Sequence, residues 1–297
     1  MLSRRHHGNR LTVHIPGMFV VDGRRGRFRA VSITAARCEL DCEHCKGQLL
    51  RTMPHAADPE TLFRLGCEAQ GRGDHGMLVT GGCDPAGKLP WKQFIPTIAR
   101  LKAVTDLTIT VHAGQVDSET AKALKDAGVD QALVDVIGDD ATVREVYHLA
   151  EGTAVICRTL DALADAGLEI VPHILFGLHY GKEKGERAAL GILKGYPLSK
   201  YVVVVIMPFR ETPMAQVQPP APEAVADFVA LARLTLPELR ASLGCARPRG
   251  WYRRKLDLLA VKGGINSLAL PSEPALEEAR TRGLEIVHRE TCCSLDG

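Results

Sequence analysis

Short segments rich in β-branched residues alternate with longer amphipathic segments along most of this chain, and this alternation limits the fold more than any other feature. The predicted strands cover 30–34, 77–80, 107–112, 130–137, 168–176, 201–207, 241–244, 265–270 and 286–287. Helical patterns between them include 117–127, 154–166, 222–236 and 274–282. Repeated strand–helix units of this kind predict a parallel sheet.

About eight such units favour an α/β protein built as a full or partial (β/α) barrel. A doubly wound open sheet is the alternative, but no G-x-G-x-x-G follows the first predicted strand, which disfavours its usual dinucleotide-binding version. With 297 residues, 45% of them apolar, the chain can build one large domain. We expect an N-terminal segment at 1–25, of which 1–10 is a flexible end, a barrel at 26–270 and a C-terminal extension at 271–297.

Charge and hydropathy exclude several classes of partner. The formal net charge is only +2, which gives no indication of binding to nucleic acid or to a membrane surface. The longest apolar run, at 201–207, is too short to cross a bilayer. The basic start of the chain lacks the apolar stretch of a signal peptide. These observations predict a cytoplasmic protein.

Residues capable of chemistry follow the ends of the predicted strands. In order along the chain they are Cys38 to Cys45, Gly81 to Asp84, His112, Asp135, His173, Gly177 and Cys245. Because the carboxyl ends of parallel strands meet at one face of a barrel, where active sites lie, we expect these residues to share one site.

The loop after the first predicted strand carries three cysteines, Cys38, Cys42 and Cys45, in the spacing C-x3-C-x2-C. Short spacings let several thiolates converge on one iron–sulfur cluster. Three thiolates on a [4Fe–4S] cluster leave one iron open, where S-adenosylmethionine (SAM) can bind and be cleaved to a 5′-deoxyadenosyl radical. A zinc loop or a group of packed thiols is the alternative, but structural zinc usually takes four protein ligands.

A second set of cysteines comprises Cys245, Cys292 and Cys293. If the seventh strand and the end of the chain both approach the barrel mouth, these three residues can hold a second [4Fe–4S] cluster, with Ser294 as an additional oxygen ligand. The alternatives are packed thiols or a redox pair. Cys67 and Cys157 lie in helical patterns and are interpreted as packing residues.

The three-cysteine loop resembles that of the radical SAM superfamily, and the segment 80–85, Thr-Gly-Gly-Cys-Asp-Pro, resembles its glycine-rich motif, whose backbone contacts the SAM amino group. Here Cys83-Asp84 replaces the usual single acidic residue, which leaves the role of Asp84 open. The resemblance implies SAM or substrate contacts at Gly81, Gly82, Asp84, His112, Asp135, Arg158, His173 and Gly177. Among these, Arg158 is the candidate for the methionine carboxylate and Gly177 for the adenine.

The chain also resembles a group of archaeal-type homologues of biotin synthase, through 32–34 with 38–47, 80–83, 134–138, 171–174, 177–181, 243–250 and 291–293. Members of that group are similar to the paired proteins of the two-component lipoyl synthase. The resemblance implies sulfur insertion into an octanoyl chain on a lipoyl carrier protein, with the second cluster as sulfur donor. It further implies a reductant such as ferredoxin or flavodoxin, and a second radical SAM subunit as a further partner.

The sequence also allows two other functions. One is another radical SAM reaction of cofactor biosynthesis, of the biotin-synthase, rearrangement or methylase type, without a sacrificial cluster. In that case His173, His179 and Tyr180 would handle protons or bind a polar substrate. The other is a protein without catalysis, an iron–sulfur electron carrier or a zinc-stabilised binding protein. Electron carriers usually close all four cluster positions with cysteine, and no fourth cysteine lies near Cys45.

Overall fold

The computed structural model describes residues 2–21 and 23–295. The strands are β1 (Arg10–His14), β2 (Val20–Val21), β3 (Arg24–Arg25), β4 (Phe28–Ser32), β5 (Gly76–Thr80), β6 (Thr108–His112), β7 (Gln131–Asp135), β8 (Glu169–Phe176), β9 (Lys200–Val205), β10 (Arg240–Leu243), β11 (Ser267–Ala269) and β12 (Glu285–Arg289). The helices are α1 (Leu2–His7), α2 (Pro59–Gly71), α3 (Trp91–Val104), α4 (Ser118–Asp126), α5 (Asp140–Val146), α6 (Thr153–Asp165), α7 (Glu186–Leu193), α8 (Pro222–Thr235), α9 (Trp251–Gly263) and α10 (Glu273–Thr281), with a 3₁₀ turn at Gln48–Thr52.

Ten of the strands form one parallel sheet in the order β12-β1-β11-β10-β9-β8-β7-β6-β5-β4. The sheet curls into a half-barrel, which confirms the predicted α/β fold. Each helix that follows a strand from β5 to β11 returns the chain to the amino end of the next strand, so every carboxyl end opens at one mouth. The remaining pair, β2 and β3, is a short antiparallel hairpin.

Local signals in the sequence set the helix boundaries. The Asp117 carboxylate accepts a hydrogen bond from the Thr120 backbone N–H, which caps the amino end of α4. Gly128, just beyond that helix, adopts a left-handed φ of 87°, a conformation in which a side chain would be strained. Capping at one end and a glycine stop at the other fix the length of the helix between β6 and β7.

The amino-terminal segment differs from the expected flexible end. Residues 10–14 form β1, which pairs with β11 on one side and β12 on the other. The preceding α1 is held by His7, whose ring lies 2.9 Å from the Arg233 guanidinium and 3.0 Å from the Pro237 carbonyl oxygen. The sheet therefore includes strands on the far side of both expected boundaries, at 25/26 and at 270/271.

Alternation along the strands divides the sheet into two faces. On β8, Ile170, Ile174 and Phe176 belong to the large core under the helices, whereas Val171 and Leu175 belong to a smaller cluster on the inner face. The same inner cluster contains Leu133, Val202, Val204, Ala269 and Cys293. The half-barrel therefore has an apolar interior wall.

Among the described residues, no helix is both long and apolar enough to cross a membrane.

Candidate active site

The three-cysteine loop follows β4 at the mouth of the half-barrel. Its turn is closed by hydrogen bonds from the backbone N–H groups of Cys45 and Lys46 to the carbonyl oxygen of Cys42, at 3.2 and 3.0 Å. The possible ligand atoms of Cys42, His44 and Cys45 lie within 4.8 Å of one another. A hydrogen bond from the Cys42 thiol lowers the pKa of Cys45 to about 4, so one thiol of the loop readily becomes a thiolate. The donor set fits a cluster that binds thiolates.

Gly82 makes a close contact with this loop that only glycine permits. A Cβ atom there would lie 1.9 Å from the Arg37 carbonyl oxygen and 2.5 Å from the Cys38 Cβ. The Gly82 N–H donates to the Thr34 hydroxyl over 2.6 Å, which joins the end of β5 to the end of β4. The predicted glycine-rich motif therefore lies against the cysteine loop. Its contact with SAM stays a prediction.

Cys83 contributes to the loop through its backbone. Its carbonyl oxygen accepts hydrogen bonds from the N–H groups of Glu39 and Leu40, at 2.7 and 3.1 Å. Burial raises the pKa of its thiol to about 12. The Asp84 carboxylate accepts from the backbone N–H groups of Ala86 and Lys88, at 2.9 and 2.8 Å, so it organises its own turn.

His148, which the sequence did not single out, braces the loop from outside. One ring nitrogen lies 3.1 Å from the Leu40 carbonyl oxygen and the other 3.0 Å from the Glu43 carboxylate. The Glu43 carboxylate also accepts from Lys46 over 3.0 Å. These contacts hold the middle of the loop, at Leu40 and Glu43, to the segment after α5.

A polar chain runs from the cysteine loop along the inner face. The Tyr147 ring stacks on His44, with centroids 5.3 Å apart, and its hydroxyl donates to Asp135 over 2.8 Å. The other Asp135 oxygen lies 3.5 Å from His112 Nε2, and the ring of His112 lies 5.9 Å from that of His173. The structure thus brings together Asp135, His112 and His173, and adds Tyr147 to them.

The pKa values of Asp135, His112 and His173 are shifted in different directions. Burial opposes ionisation of Asp135, but the neighbouring His112 outweighs it and holds the pKa of the carboxyl well below its usual range. Burial likewise opposes protonation of His112, and the Asp135 carboxylate outweighs it, so the pKa of His112 is raised. Burial, followed by the charge on His112, lowers the pKa of His173 to about 4. The site therefore offers an ion pair beside a neutral imidazole.

The second set of cysteines shares one cluster on the inner face, but its ligand atoms do not form a group as close as that of Cys42, His44 and Cys45. Cys293 is buried in the inner cluster, and Cys245 and Cys292 pack against it. The Cys293 carbonyl oxygen accepts from Ser242 over 3.2 Å and from Lys200 over 3.4 Å, while the Thr291 hydroxyl lies 3.2 Å from His14. Side chains of β1, β9 and β10 therefore hold the tail inside the half-barrel.

The thiols of this set are not equivalent. A hydrogen bond from the Cys293 thiol lowers the pKa of Cys292 to about 6 in spite of burial, and Ser294 adds to the shift. Burial, followed by the charge of Cys292, raises the pKa of Cys245 to about 11. Cys292 also acts on the pKa of His112, so this set adjoins the polar chain that begins at the first loop.

Arg247, two residues after Cys245, is a structural residue. Its guanidinium and the Asp257 carboxylate are both fully buried, with Nε and Oδ1 2.8 Å apart. It also donates to the Ala269 carbonyl oxygen over 2.8 Å. These contacts tie the loop after β10 to α9 and β11. The buried guanidinium of Arg247 has no free face for a ligand.

Three predicted residues have other contacts. Arg158 lies on the exposed face of α6, because other positions form the buried face of that helix. Its guanidinium pairs with the Glu151 carboxylate over 2.7 Å. The structure therefore does not bring Arg158 to the cysteine loop. The Gly177 N–H donates to the buried Glu186 carboxylate over 2.7 Å. Cys67 is exposed on α2, so its interpretation as a packing residue is wrong.

The chain belongs to the radical SAM superfamily, since the family model of that name matches residues 32–189, more than half of the sequence. The match begins at the end of β4 and includes the cysteine loop, the glycine-rich motif and the polar chain. Membership implies a [4Fe–4S] cluster and SAM as cofactors, as predicted. Cys38, Cys42 and Cys45 are the residues that would hold that cluster.

Relatives of known function are distant. A biotin synthase from Desulforudis audaxviator is 27% identical over 248 residues, which cover 80% of this chain and 73% of that protein. A GTP 3′,8-cyclase from a Synechococcus strain is 28% identical over 176 residues, 55% of this chain and 44% of the cyclase. Among solved structures, methylornithine synthase PylB has a TM-score of 0.64 at 14% identity, covering 97% of this chain and 87% of that one. The hydrogenase maturase HydG from Carboxydothermus hydrogenoformans has a TM-score of 0.64 at 14% identity, covering 96% and 69%. These two structures support the fold alone.

Proposed function

We propose that this radical SAM enzyme inserts sulfur into an unactivated carbon of an acyl chain, and that its substrate is an octanoyl group carried on a lysine of a lipoyl carrier domain. The observation that carries the proposal is the position of the second set of cysteines. Cys245, Cys292 and Cys293 pack together on the inner face of the same half-barrel whose mouth carries the three-cysteine loop. The similarity to biotin synthases also supports it.

Each set of thiols has a separate task in this proposal. A [4Fe–4S] cluster on Cys38, Cys42 and Cys45 supplies the electron that cleaves SAM and so provides a radical strong enough to remove hydrogen from an unactivated carbon. An iron–sulfur cluster on Cys245, Cys292 and Cys293 supplies the sulfur. Among these three thiols, Cys292 alone has a lowered pKa, which favours the thiolate form that iron requires; the pKa values of Cys245 and Cys293 are raised.

The surroundings of the second set are apolar. Leu133, Val171 and Val202 are buried on the inner face in one cluster with Cys293, and such an environment excludes water and favours an alkyl chain over a polar one. Asp135 and His112, at the carboxyl ends of β7 and β6, provide hydrogen-bonding groups where SAM or a polar part of the substrate would lie. The neutral His173 beside them adds no further charge.

Partners follow from the same proposal. The acyl chain would arrive on a carrier domain, the electron from a ferredoxin or flavodoxin, and a second radical SAM subunit would share the two insertion steps. An alkyl chain bound to a protein needs an open mouth, and the half-barrel provides one because its edge strands β4 and β12 pair with other strands and not with each other.

The test begins with iron and sulfide analysis of the anaerobically reconstituted protein, where two clusters predict about eight iron atoms per chain. A count near four would contradict a second cluster. The double variant Cys292→Ala/Cys293→Ala should still cleave SAM but should give no thiolated product from an octanoyl-lysine peptide, as read by mass spectrometry. Cys157→Ala, on α6, is the matched control. Full formation of the thiolated product by the double variant would show that Cys292 and Cys293 do not hold the sulfur donor.

A further inference from the structure

An exposed aromatic and basic surface lies at the start of α9. Trp251 is 67% exposed, whereas the other tryptophan, Trp91, is 2% exposed. Arg249 and Arg254 are exposed beside it, and Arg253 is half-buried. We name these four residues, Arg249, Trp251, Arg253 and Arg254, the rim patch. An exposed tryptophan among arginines has the composition of a binding hot spot.

The arginines of the rim patch have no ion-pair partner in the part of the chain that the structure describes. Among residues 2–21 and 23–295, no carboxylate forms an ion pair with Arg249, Arg253 or Arg254. The nearby Glu223 is already paired with Lys255, and Asp257 with Arg247. Burial and then Arg247 lower the pKa of Arg253, as expected for like charges held close together.

Local stability does not account for these arginines. The first turn of α9 contains no acidic residue and carries Arg253 and Arg254 instead. Because a helix dipole disfavours cations at the amino end, this arrangement costs stability. A compensating anion is therefore expected from outside the chain.

The rim patch adjoins the second set of cysteines. The loop that connects β10 to α9 carries Cys245, and the charge of Arg253 acts on the Cys245 thiol. The Tyr252 hydroxyl donates to the Pro220 carbonyl oxygen over 2.6 Å, which fixes the start of α9 to the loop after β9. Both loops follow carboxyl ends of strands, so the patch lies on the rim of the mouth.

We infer that the rim patch is the docking surface for an acidic carrier domain, which would deliver its acyl chain into the half-barrel beside Cys245. The inference rests on the proposed function for the identity of the cargo. We choose an acidic partner because its charge is complementary to that of the patch, since arginines form bidentate contacts with carboxylates. Trp251 adds apolar contact area to the patch.

The experiment measures the affinity of the reconstituted enzyme for an octanoylated acidic carrier domain by calorimetry at low and high salt. Trp251→Ala and Arg254→Glu should each weaken binding by about 10-fold to 100-fold, since a few anchors dominate such interfaces. Lys122→Glu, on the exposed face of α4, should leave the affinity unchanged. Circular dichroism and thermal melting establish that the variants are folded.

Two further measurements separate the outcomes. Turnover of a short neutral octanoyl-lysine peptide should be the same in the wild type, Trp251→Ala and Arg254→Glu, because the peptide does not need the patch. Unchanged affinity of both variants for the carrier domain would overturn the docking surface, whatever the peptide result. A single-stranded oligonucleotide that binds as tightly as the domain, and loses affinity in the same variants, would also overturn it. Carrier binding that depends on the patch, without any thiolated product, would support the surface and contradict the sulfur chemistry.

Discussion

The two sets of cysteines are built in different ways. Cys38, Cys42 and Cys45 lie in one loop, whose own backbone hydrogen bonds bring Cys42 and Cys45 together. Cys245 and Cys292 are far apart in the sequence and meet only because the tail is held inside the half-barrel by residues of β1, β9 and β10. A local loop depends on turn geometry, whereas an assembled site depends on the packing of the whole sheet. The following substitutions test that difference, from the largest expected effect to the smallest.

Loss of a thiol from the first loop should have the largest effect. Cys42→Ala should abolish SAM cleavage and remove about four iron atoms per chain, since two thiolates do not retain the cluster. The measurements are iron content and the EPR signal of the reduced protein with and without SAM. Cys67→Ala, at an exposed position on α2, is the matched control and should retain both. Normal iron content in Cys42→Ala would show that other residues hold the cluster.

Removal of the buried Arg247 cation, which lies two residues after Cys245, should have the next largest effect. Arg247→Met leaves the Asp257 carboxylate buried without its partner, and should lower the free energy of unfolding by about 3–5 kcal/mol. Chemical denaturation measures the change, and the double variant Arg247→Met/Asp257→Leu should recover most of it. Arg187→Met breaks only an exposed pair with Glu183 and should cost less than about 1 kcal/mol. If Arg247→Met and Arg187→Met lowered the free energy of unfolding equally, the region around Cys245 would not depend on this buried ion pair.

A methyl group at Gly82 should disturb the first loop more gently. Gly82→Ala forces the Arg37 carbonyl and Cys38 to move, which should cost about 1–3 kcal/mol of stability and reduce iron loading. Gly191→Ala, in the middle of α7 with no atom within 4 Å of the added carbon, should gain about 0.5–1 kcal/mol. Thermal unfolding and iron analysis are the two measurements. Full iron loading in Gly82→Ala would show that the close contact does not position Cys38.

The smallest effect should come from the residue that connects the two regions. Tyr147→Phe keeps the stacking on His44 but removes the hydrogen bond to Asp135, and should cost about 1 kcal/mol of stability. It should also raise the pKa of Asp135, because the carboxylate loses a donor. NMR titration of the carboxyl group measures this shift. An unchanged pKa would mean that His112 alone holds Asp135 ionised.

Much of the fold could be predicted from the sequence because its periodicity is strong. All nine predicted strands are present, with ends that differ by two residues or fewer. Three strands were missed, the short pair β2 and β3 and the sheet strand β1. In β1 only Leu11 and Val13 are apolar, while Thr12 and His14 face the interior. A polar interior face removes the hydrophobic signal on which strand prediction depends.

The site was predictable where its chemistry is local. The spacing of three cysteines is enough to indicate a cluster, and the superfamily assignment confirms that class of function. Tyr147 and His148 were missed because they lie in an irregular segment and act only through contacts distant in sequence. The misplacement of Arg158 was avoidable, since the helical periodicity of Ile156, Leu160 and Leu163 puts it on the opposite, outer face.

The position of β1 has a consequence for biosynthesis. This strand precedes β4 to β10 along the chain but pairs with β11 and β12, which follow them. On the ribosome, β4 to β10 can join in order of emergence, while β1 has to wait for almost the whole polypeptide. The loop that would hold the [4Fe–4S] cluster is therefore complete well before the compartment that contains Cys292 and Cys293.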